Sequence, residues 1–172
     1  MPPNRIVQVT ATPIEEKAWR PFGWLPVRDT DPEDGSSRLA FEWSDAHVNV
    51  ICHRSAEIEQ TPNGFRCEMM FHHLTHTQVL LVLNCTAVIA VAPPTSPPSQ
   101  PPNAEAIEAF VLKPGDALVL HRGTWHWGPF PVDAPQVDLF NVQGLRYAED
   151  NGCERMEDLG AEVEIIVPPN CQ

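Results

Sequence analysis

Basic residues are scarce in this sequence. Eleven lysines and arginines stand against 23 aspartates and glutamates, which gives a formal net charge of −12, and Lys17 and Lys113 are the only lysines. Proteins that bind nucleic acid or anionic membrane surfaces carry basic patches. The charge balance therefore predicts no nucleic-acid partner and no membrane partner. Because the overall field does not attract anions, we expect a local arginine wherever an anionic ligand binds.

Long apolar runs and cysteine pairs are also missing. No apolar run reaches the ~18 residues of a membrane-spanning helix, and residues 1–5 lack the apolar segment of a secretion signal. The cysteines are odd in number and have no closely spaced pair, which favours reduced thiols. They are Cys52, Cys67, Cys85, Cys153 and Cys171. We therefore expect a cytoplasmic protein.

Proline, by contrast, is abundant, and the sequence predicts a mainly β structure. The 172 residues suffice for one domain but not for two, and 19 prolines favour turns over long helices. Short apolar stretches punctuated by turns are typical of a sandwich or barrel. They predict strands at residues 5–9, 47–52, 65–72, 78–83, 87–92, 107–112, 117–121, 137–142 and 162–167. We predict a single all-β domain over residues 1–172, with one or two short helices.

The segments between these strands predict helices and loops. Thr12 is a suitable N-cap with a proline after it, so a helix is predicted from there to about Arg20. Residues 152–160 predict a short acidic helix. Residues 28–38 predict a surface loop, and the proline-rich residues 93–103 predict an extended linker between two strands of the domain.

The most informative segment covers residues 113–126. A Pro-Gly-Asp turn leads into an apolar strand, and a second turn at Gly123 precedes a histidine between two tryptophans. His121 and His126 flank this turn, so both imidazole rings are expected at neighbouring strand ends, facing one cavity. The spacing from Gly115 to His126 is that of the second cupin motif, although His121 stands where that motif usually has proline. The segment predicts a cupin-type double-stranded β-helix barrel.

The first cupin motif is present only in part. That motif usually carries two histidines and a glutamate after a glycine, and here the corresponding positions hold Phe71, His73 and Gln78. Two neighbouring histidines could substitute through a register change, namely His72 and His76. Five of the seven histidines fall at the two places where a cupin builds its pocket. This grouping favours a functional site over scattered, hydrogen-bonded strand histidines.

These residues also define a candidate metal set. His73, Gln78 and His126 are the expected ligands of a divalent ion such as Zn, Mn or Ni, with His121 as a further candidate. A divalent metal prefers three or four firm ligands, and a carboxylate would add charge. These three side chains carry no negative charge, so we expect them to bind a metal ion more weakly than a set that includes a carboxylate. The sequence leaves open whether a metal is bound.

Arg122 is the candidate for holding a substrate carboxylate. Its guanidinium lies next in sequence to the pocket histidines and could bind a carboxylate through two hydrogen bonds. The alternative is a surface arginine paired with an acidic residue, and Arg66 and Arg146 are weaker candidates for the same role. Trp125 is expected in the pocket wall. No nucleophile elbow, catalytic triad or phosphate-binding loop is present.

Several segments together resemble the ureidoglycolate lyase (ureidoglycolate hydrolase) family of cupins. Residues 13–23 are similar to the family's opening, and residues 110–130 are similar to its most recognisable stretch. His73 with Thr77 and Gln78 resembles another family segment, and residues 150–153 resemble its C-terminal part. The chain departs from the family around His73, where it has His-His-Leu in place of Arg-His-Pro, and in its proline-rich insertion.

The resemblance implies a homodimeric cupin enzyme of allantoin and purine catabolism. It would split ureidoglycolate, a small carboxylate, into glyoxylate and urea as a carbon–nitrogen lyase of the amidine-lyase type. His126, His121 and His73 would be the acid and base groups. Gln78, Arg122 and Trp125 would bind the substrate. Two alternatives stay open, a non-catalytic cupin that binds a small anion and a metal-dependent cupin enzyme of another reaction type.

Overall fold

The computed structural model describes residues 5–26, 45–146 and 148–169. The loop predicted at residues 28–38 lies outside these residues. Where the chain is described, no helix is long and apolar enough to span a membrane.

Fifteen strands and one four-residue α-helix make up most of the described chain. In chain order they are β1 (Arg5–Thr10), β2 (Thr12–Pro13), α1 (Glu16–Trp19), β3 (Gly23–Trp24), β4 (Ala46–Arg54), β5 (Gln60–Thr61), β6 (Gly64–Cys67), β7 (Met69–His73), β8 (Gln78–Val82), β9 (Ala87–Ala92), β10 (Glu108–Leu112), β11 (Ala117–Leu120), β12 (Trp125–Pro131), β13 (Gln136–Gly144), β14 (Asn151–Arg155) and β15 (Ala161–Ile166). Three-residue 3₁₀ turns occur at Ser55–Glu57, Ala104–Ala106 and Glu157–Leu159.

These strands form three sheets. A four-stranded sheet has the order β1-β15-β6-β5, a six-stranded sheet the order β14-β7-β12-β9-β10-β2, and a five-stranded sheet the order β3-β11-β8-β13-β4. Among the described pairs, β1 with β15 and β2 with β10 are parallel, and the others are antiparallel. The predicted all-β fold class is confirmed, and the arrangement agrees with a cupin-type barrel.

Strand β9 separates two hydrophobic cores. Its six residues are all apolar and all buried, as expected for a strand that is covered on both faces. Val88 and Ala90 pack in one core with Trp125, whereas Ile89 packs in the other core with Phe110. This strand lies next to β12, which carries His126, so the candidate site is built on the most buried part of the sheet.

Each of the nine predicted strand segments contains a strand. Of the two predicted helices, the first is shorter than expected and the second is wrong. The helix predicted from Thr12 to Arg20 is formed only by Glu16–Trp19. Thr12–Pro13 instead pair with β10 as an edge strand. At an edge, the missing N–H of proline does not interrupt the hydrogen bonds between strands. The helix predicted at residues 152–160 is replaced by β14 and a 3₁₀ turn. Pairing of β14 along the whole of β7 supplies backbone hydrogen bonds that outweigh local helix preference.

Strand β12 itself was not predicted. Its ladder with β9 is irregular between Trp127 and Phe130, where Gly128 has a positive φ of 90° and is followed by Pro129. Such a bulge breaks the alternation that identifies a strand in a sequence. The proline-rich residues 93–103 join β9 to β10, which are neighbouring antiparallel strands.

Candidate active site

A cavity of about 430 Å³ is bounded by strands of both larger sheets. From the five-stranded sheet, β4, β8 and β13 contribute to its wall, and from the six-stranded sheet, β7, β12 and β14 do so. Its lining residues are Asn49, Ile51, His53, Glu57, Glu68, Met69, Phe71, His73, Gln78, His126, Trp127, Gly128, Phe130, Gln143 and Asn151. A concave site of this size with a few convergent polar groups suits a small-molecule ligand.

His126 lies in the wall of this cavity and is 8% exposed. Its Nδ1 is 3.0 Å from the backbone oxygen of Thr124. A carbonyl can only accept, so Nδ1 carries the proton and donates it, and Nε2 keeps a free lone pair. Burial lowers the pKa of His126 to about 4, against a smaller opposing effect of the Thr124 hydrogen bond. The imidazole is therefore neutral at pH 7, with Nε2 as its acceptor, and its lowered pKa makes it a weaker base than a solvent-exposed histidine.

His73 lies beside His126 at the end of β7. Their ring centroids are 5.2 Å apart, and the backbone N–H of Gly123 donates to the carbonyl of His73 at 2.6 Å. Gly123 adopts a positive φ of 79°, which lets the turn after β11 reach back to β7. Burial, together with the neighbouring histidines, lowers the pKa of His73 to about 2. The two predicted pocket motifs are thus joined by a backbone hydrogen bond.

Gln78 is held by a chain of amides across the five-stranded sheet. Its Nε2 donates to Oδ1 of Asn141 at 2.8 Å, and Nδ2 of Asn141 donates to Oδ1 of Asn49 at 2.9 Å. Asn141 and Asn49 face each other in the β13–β4 ladder. With Nε2 occupied, Gln78 is left with Oε1, which is buried without a hydrogen-bond partner. That oxygen is available to a ligand donor.

The residues predicted as metal ligands all line the cavity. His73 and His126 belong to the six-stranded sheet and Gln78 to the five-stranded sheet, and two of the three carry a buried atom without a hydrogen-bond partner, Nδ1 of His73 and Oε1 of Gln78. Unpaired buried acceptors fit a cation or a ligand donor. The set is compatible with a metal ion, and its role as a metal site stays a prediction.

Other predicted site residues are placed outside the lining of this cavity. His121 and Arg122 are exposed at the turn after β11, and the ring of His121 lies 5.2 Å from that of Trp24. Trp125 is buried and stacks on His72, with ring centroids 3.9 Å apart. Strand alternation directs Trp125 away from the face that carries His126. The structure therefore does not bring these three residues to the described lining, and their assigned roles stay predictions.

The sequence analysis missed His53. Its Nδ1 is 2.8 Å from the backbone oxygen of Pro129, so this nitrogen donates and Nε2 is left with its lone pair. The ring lies 5.1 Å from that of Phe130. No signal in the sequence identifies it, because the apolar residues Val48 and Val50 lie on the exposed side of β4, whereas His53 lies on the half-buried side with Asn49. His53 is a third histidine of the cavity lining, and its ring nitrogen Nδ1 bonds to a backbone oxygen as that of His126 does.

The charge of the cavity is acidic. Glu57 and Glu68 line it, and no lysine or arginine occurs among its described lining residues. The same carboxylates oppose an anionic ligand, so a substrate carboxylate needs a cation or amide donors to hold it.

A second cavity of about 490 Å³ lies beside the loop that follows β7. It is lined by His76 and Asp150 together with Thr75 and Arg146, among others. Nδ1 of His76 is 3.4 Å from Oδ2 of Asp150. Burial lowers the pKa of His76, partly offset by the charge of Asp150. The ring centroids of His76 and His73 are 4.7 Å apart, so the two cavities adjoin at this pair.

The described chain is all-β and brings histidines and amides together at one cavity, which is the kind of concave site that suits a small-molecule ligand. The model of the family described as ureidoglycolate lyase matches residues 6–164, nearly the whole chain. The chain therefore belongs to the ureidoglycolate lyase family, as the resemblance predicted. A comparison with curated protein sequences gave no match.

Proposed function

We propose that this chain is a ureidoglycolate lyase, which cleaves ureidoglycolate into glyoxylate and urea in the breakdown of allantoin and other purine products. The family match over residues 6–164 is the observation that carries the proposal. The cavity between the larger sheets supports it, because it holds neutral histidines and oriented amides in a space suited to a small substrate. We place the active site there.

The reaction requires one proton to move from oxygen to nitrogen. Ureidoglycolate carries a hydroxyl, a carboxylate and a ureido group on one carbon. A base removes the hydroxyl proton, the carbonyl forms, the carbon–nitrogen bond breaks, and the departing urea nitrogen takes a proton. His126 suits the base, since its Nδ1 is held by Thr124 and its Nε2 is free. The protonated ring then suits the acid that returns the proton.

Other cavity residues would orient the substrate. Oε1 of Gln78 would accept a hydrogen bond from a ureido N–H, because its own amide nitrogen is already bonded to Asn141. His73 lies beside His126 and is the second predicted acid or base, although burial and the neighbouring histidines lower its pKa to about 2 and make it the weaker base of the two. Side-chain amides of Gln143 and Asn151 offer donors to the carboxylate within the lining, with Arg122 as the predicted cation. In the alternative in which His73, Gln78 and His126 hold a divalent ion, that ion would polarise the substrate hydroxyl, and His126 would not serve as the base.

The direct test is release of glyoxylate from racemic ureidoglycolate by the purified protein. We expect release well above the spontaneous rate, measured on both chelator-treated protein and protein supplied with Mn²⁺ or Zn²⁺. Spontaneous rates in both samples would refute the lyase proposal. A rise of the melting temperature with glyoxylate, but no turnover, would identify a non-catalytic anion-binding protein.

Homodimer formation and a cytoplasmic location stay predictions. Sedimentation of the purified protein and fractionation of cells would test them separately from the activity.

A further inference from the structure

Strand pairing brings three potential metal ligands together at the end of β7. The antiparallel ladder between β14 and β7 places Asn151 opposite His73, so the preceding residue, Asp150, lies beside the loop that continues from β7. Thr75 in that loop donates to Oδ2 of Asp150 from its backbone N–H at 2.9 Å and from its hydroxyl at 2.7 Å. These two bonds fix the carboxylate next to His76, which is 3.4 Å away.

The two histidines of this group carry buried nitrogens without partners. His73 is 7% exposed and His76 is 3% exposed. Nδ1 of His73 and Nε2 of His76 make no hydrogen bond in the structure. A buried polar atom without a partner costs about 1–3 kcal/mol, and such atoms in native proteins call for an explanation. Such nitrogens on two adjacent rings, together with a carboxylate that faces Nδ1 of His76, point to a cation.

We propose that His73, His76 and Asp150 bind a divalent metal ion of the Zn²⁺ class. Each residue offers one ligand atom, and the three atoms lie within 4.8 Å of one another. Two imidazoles and one carboxylate match the ligand preferences of Zn²⁺ and related ions, and three protein ligands leave a coordination position for water or a small anion. Asp150 gives this set a negatively charged ligand. The set predicted from the sequence, His73, Gln78 and His126, contains no charged ligand.

Ring geometry sets one condition on the site. The rings of His73 and His76 are inclined by only 23°, so one ring must turn about its Cβ–Cγ bond before nitrogens of both point at one ion. The distribution of this torsion angle is broad for histidine, so the rotation does not require an unfavourable rotamer. Gly144 leaves the space for the His76 ring, because a Cβ built there would lie 2.5 Å from Nδ1 of His76.

The ion would lie where the two cavities adjoin. His73 lines the cavity that holds His126, whereas His76 and Asp150 line the second cavity. A cation there would add positive charge to a region whose described lining contains Glu57 and Glu68. The proposal goes beyond the lyase function and does not rest on it, since metal binding is measured without substrate.

The test is a titration of chelator-treated full-length protein with Co²⁺, followed by visible absorption, and with Zn²⁺, followed by calorimetry. We expect one ion per chain, with Zn²⁺ displacing Co²⁺. His76→Ala and Asp150→Asn should each weaken binding more than ~100-fold, beyond the loss caused by removing outer-shell partners. Thermal unfolding of each variant checks the fold, and His76→Gln retains more of the side-chain volume if the alanine variant is unstable.

Matched controls distinguish this site from the alternatives. Glu149→Gln, an adjacent exposed carboxylate, and His47→Ala, a histidine on β4, should bind Co²⁺ as the parent does. Gln78→Ala should also retain binding. Absence of Co²⁺ and Zn²⁺ binding by the parent would overturn the proposal. So would full binding by His76→Ala and Asp150→Asn together with loss in Gln78→Ala and His126→Ala, which would assign the metal to the other set.

Discussion

Gln78 and Asn141 are joined side chain to side chain by a hydrogen bond of 2.8 Å between strands β8 and β13. Asn141 is completely buried and bonds in turn to Asn49 on β4. Three strands of one sheet thus share a chain of amides. This chain determines that the oxygen of Gln78, and not its nitrogen, is left for a ligand.

Replacing Asn141 should therefore impair both stability and substrate binding. Asn141→Ala leaves the Gln78 amide nitrogen and the Asn49 oxygen without partners, which should cost about 1–3 kcal/mol of unfolding free energy and raise KM. Urea unfolding and glyoxylate-release kinetics measure the two effects. Gln8→Ala, which breaks an exposed hydrogen bond to Glu164, should change stability by less than ~0.5 kcal/mol. Similar losses in both variants would contradict the structural role of the amide chain.

His126→Ala should lower kcat at least ~100-fold if His126 transfers the proton. The reason is geometric, since the bond to Thr124 holds Nδ1 and leaves the lone pair on Nε2, in the ring that lines the cavity. Steady-state kinetics on protein with a verified melting temperature measures the effect. The control is His47→Ala, on β4 outside the described lining of the cavity. A His126→Ala enzyme with the parent's kcat would exclude His126 as the proton-transfer group.

Arg122→Lys should raise KM much more than it lowers stability if Arg122 holds the substrate carboxylate. A compact ammonium cannot reproduce the two parallel hydrogen bonds of a guanidinium. Arg155→Lys, at an exposed arginine that pairs with Glu157, is the matched control and should leave KM unchanged. The same KM in Arg122→Lys and the parent would remove Arg122 from the substrate site and leave the carboxylate to other donors.

Gly152→Ala should destabilise the protein by about 1–3 kcal/mol, the usual cost of overpacking. A Cβ at this position would collide with Nε2 of His72, and His72 is stacked on Trp125 and cannot move freely. Chemical denaturation gives the size of the loss. Adding His72→Ala to Gly152→Ala should recover part of it, because the colliding ring is gone. No recovery in the double variant would place the strain elsewhere.

Thiol reactivity should separate the cysteines by burial. Burial raises the pKa of the Cys67 thiol, and because thiolate is the reactive form, Cys67 should stay unmodified at pH 8. Cys52 is exposed and should react readily. Alkylation of the native protein followed by peptide mass mapping measures both, and denatured protein is the control. Modification of Cys67 as fast as Cys52 would contradict the burial of β6.

The strands with unambiguous local patterns were predictable. Ala87–Ala92 is an uninterrupted apolar run between turns, and it became the doubly covered β9. The Pro-Gly-Asp turn before Ala117 gave the start of β11. In the candidate site, His73, Gln78 and His126 were identified by motif spacing, and all three line one cavity in the fold.

The remaining features depend on contacts distant in sequence. Asn49 and Asn141 lie 92 residues apart, and neither has a local signal that distinguishes it from an ordinary polar strand residue. Asp150 reaches His76 only because β14 pairs with β7, in a segment whose acidic residues favoured a helix. His121 and Arg122 seemed close to the pocket because they are close to His126 in sequence, but a turn between two sheets separates them.

The position of β15 determines when this protein can finish folding. In its sheet, β15 lies between β1 and β6 and is the partner of both, and Arg5 pairs with Ala161 from the opposite end of the chain. Contacts of such long sequence separation form slowly. Synthesis proceeds from the N-terminus. Strand β1 therefore has no partner for its backbone hydrogen bonds until β15 has been synthesised. Ile6 on β1 is 68% exposed even in the folded chain. An unpaired strand with an exposed apolar side chain favours aggregation, so we expect β1 to be an aggregation-prone segment of the nascent protein.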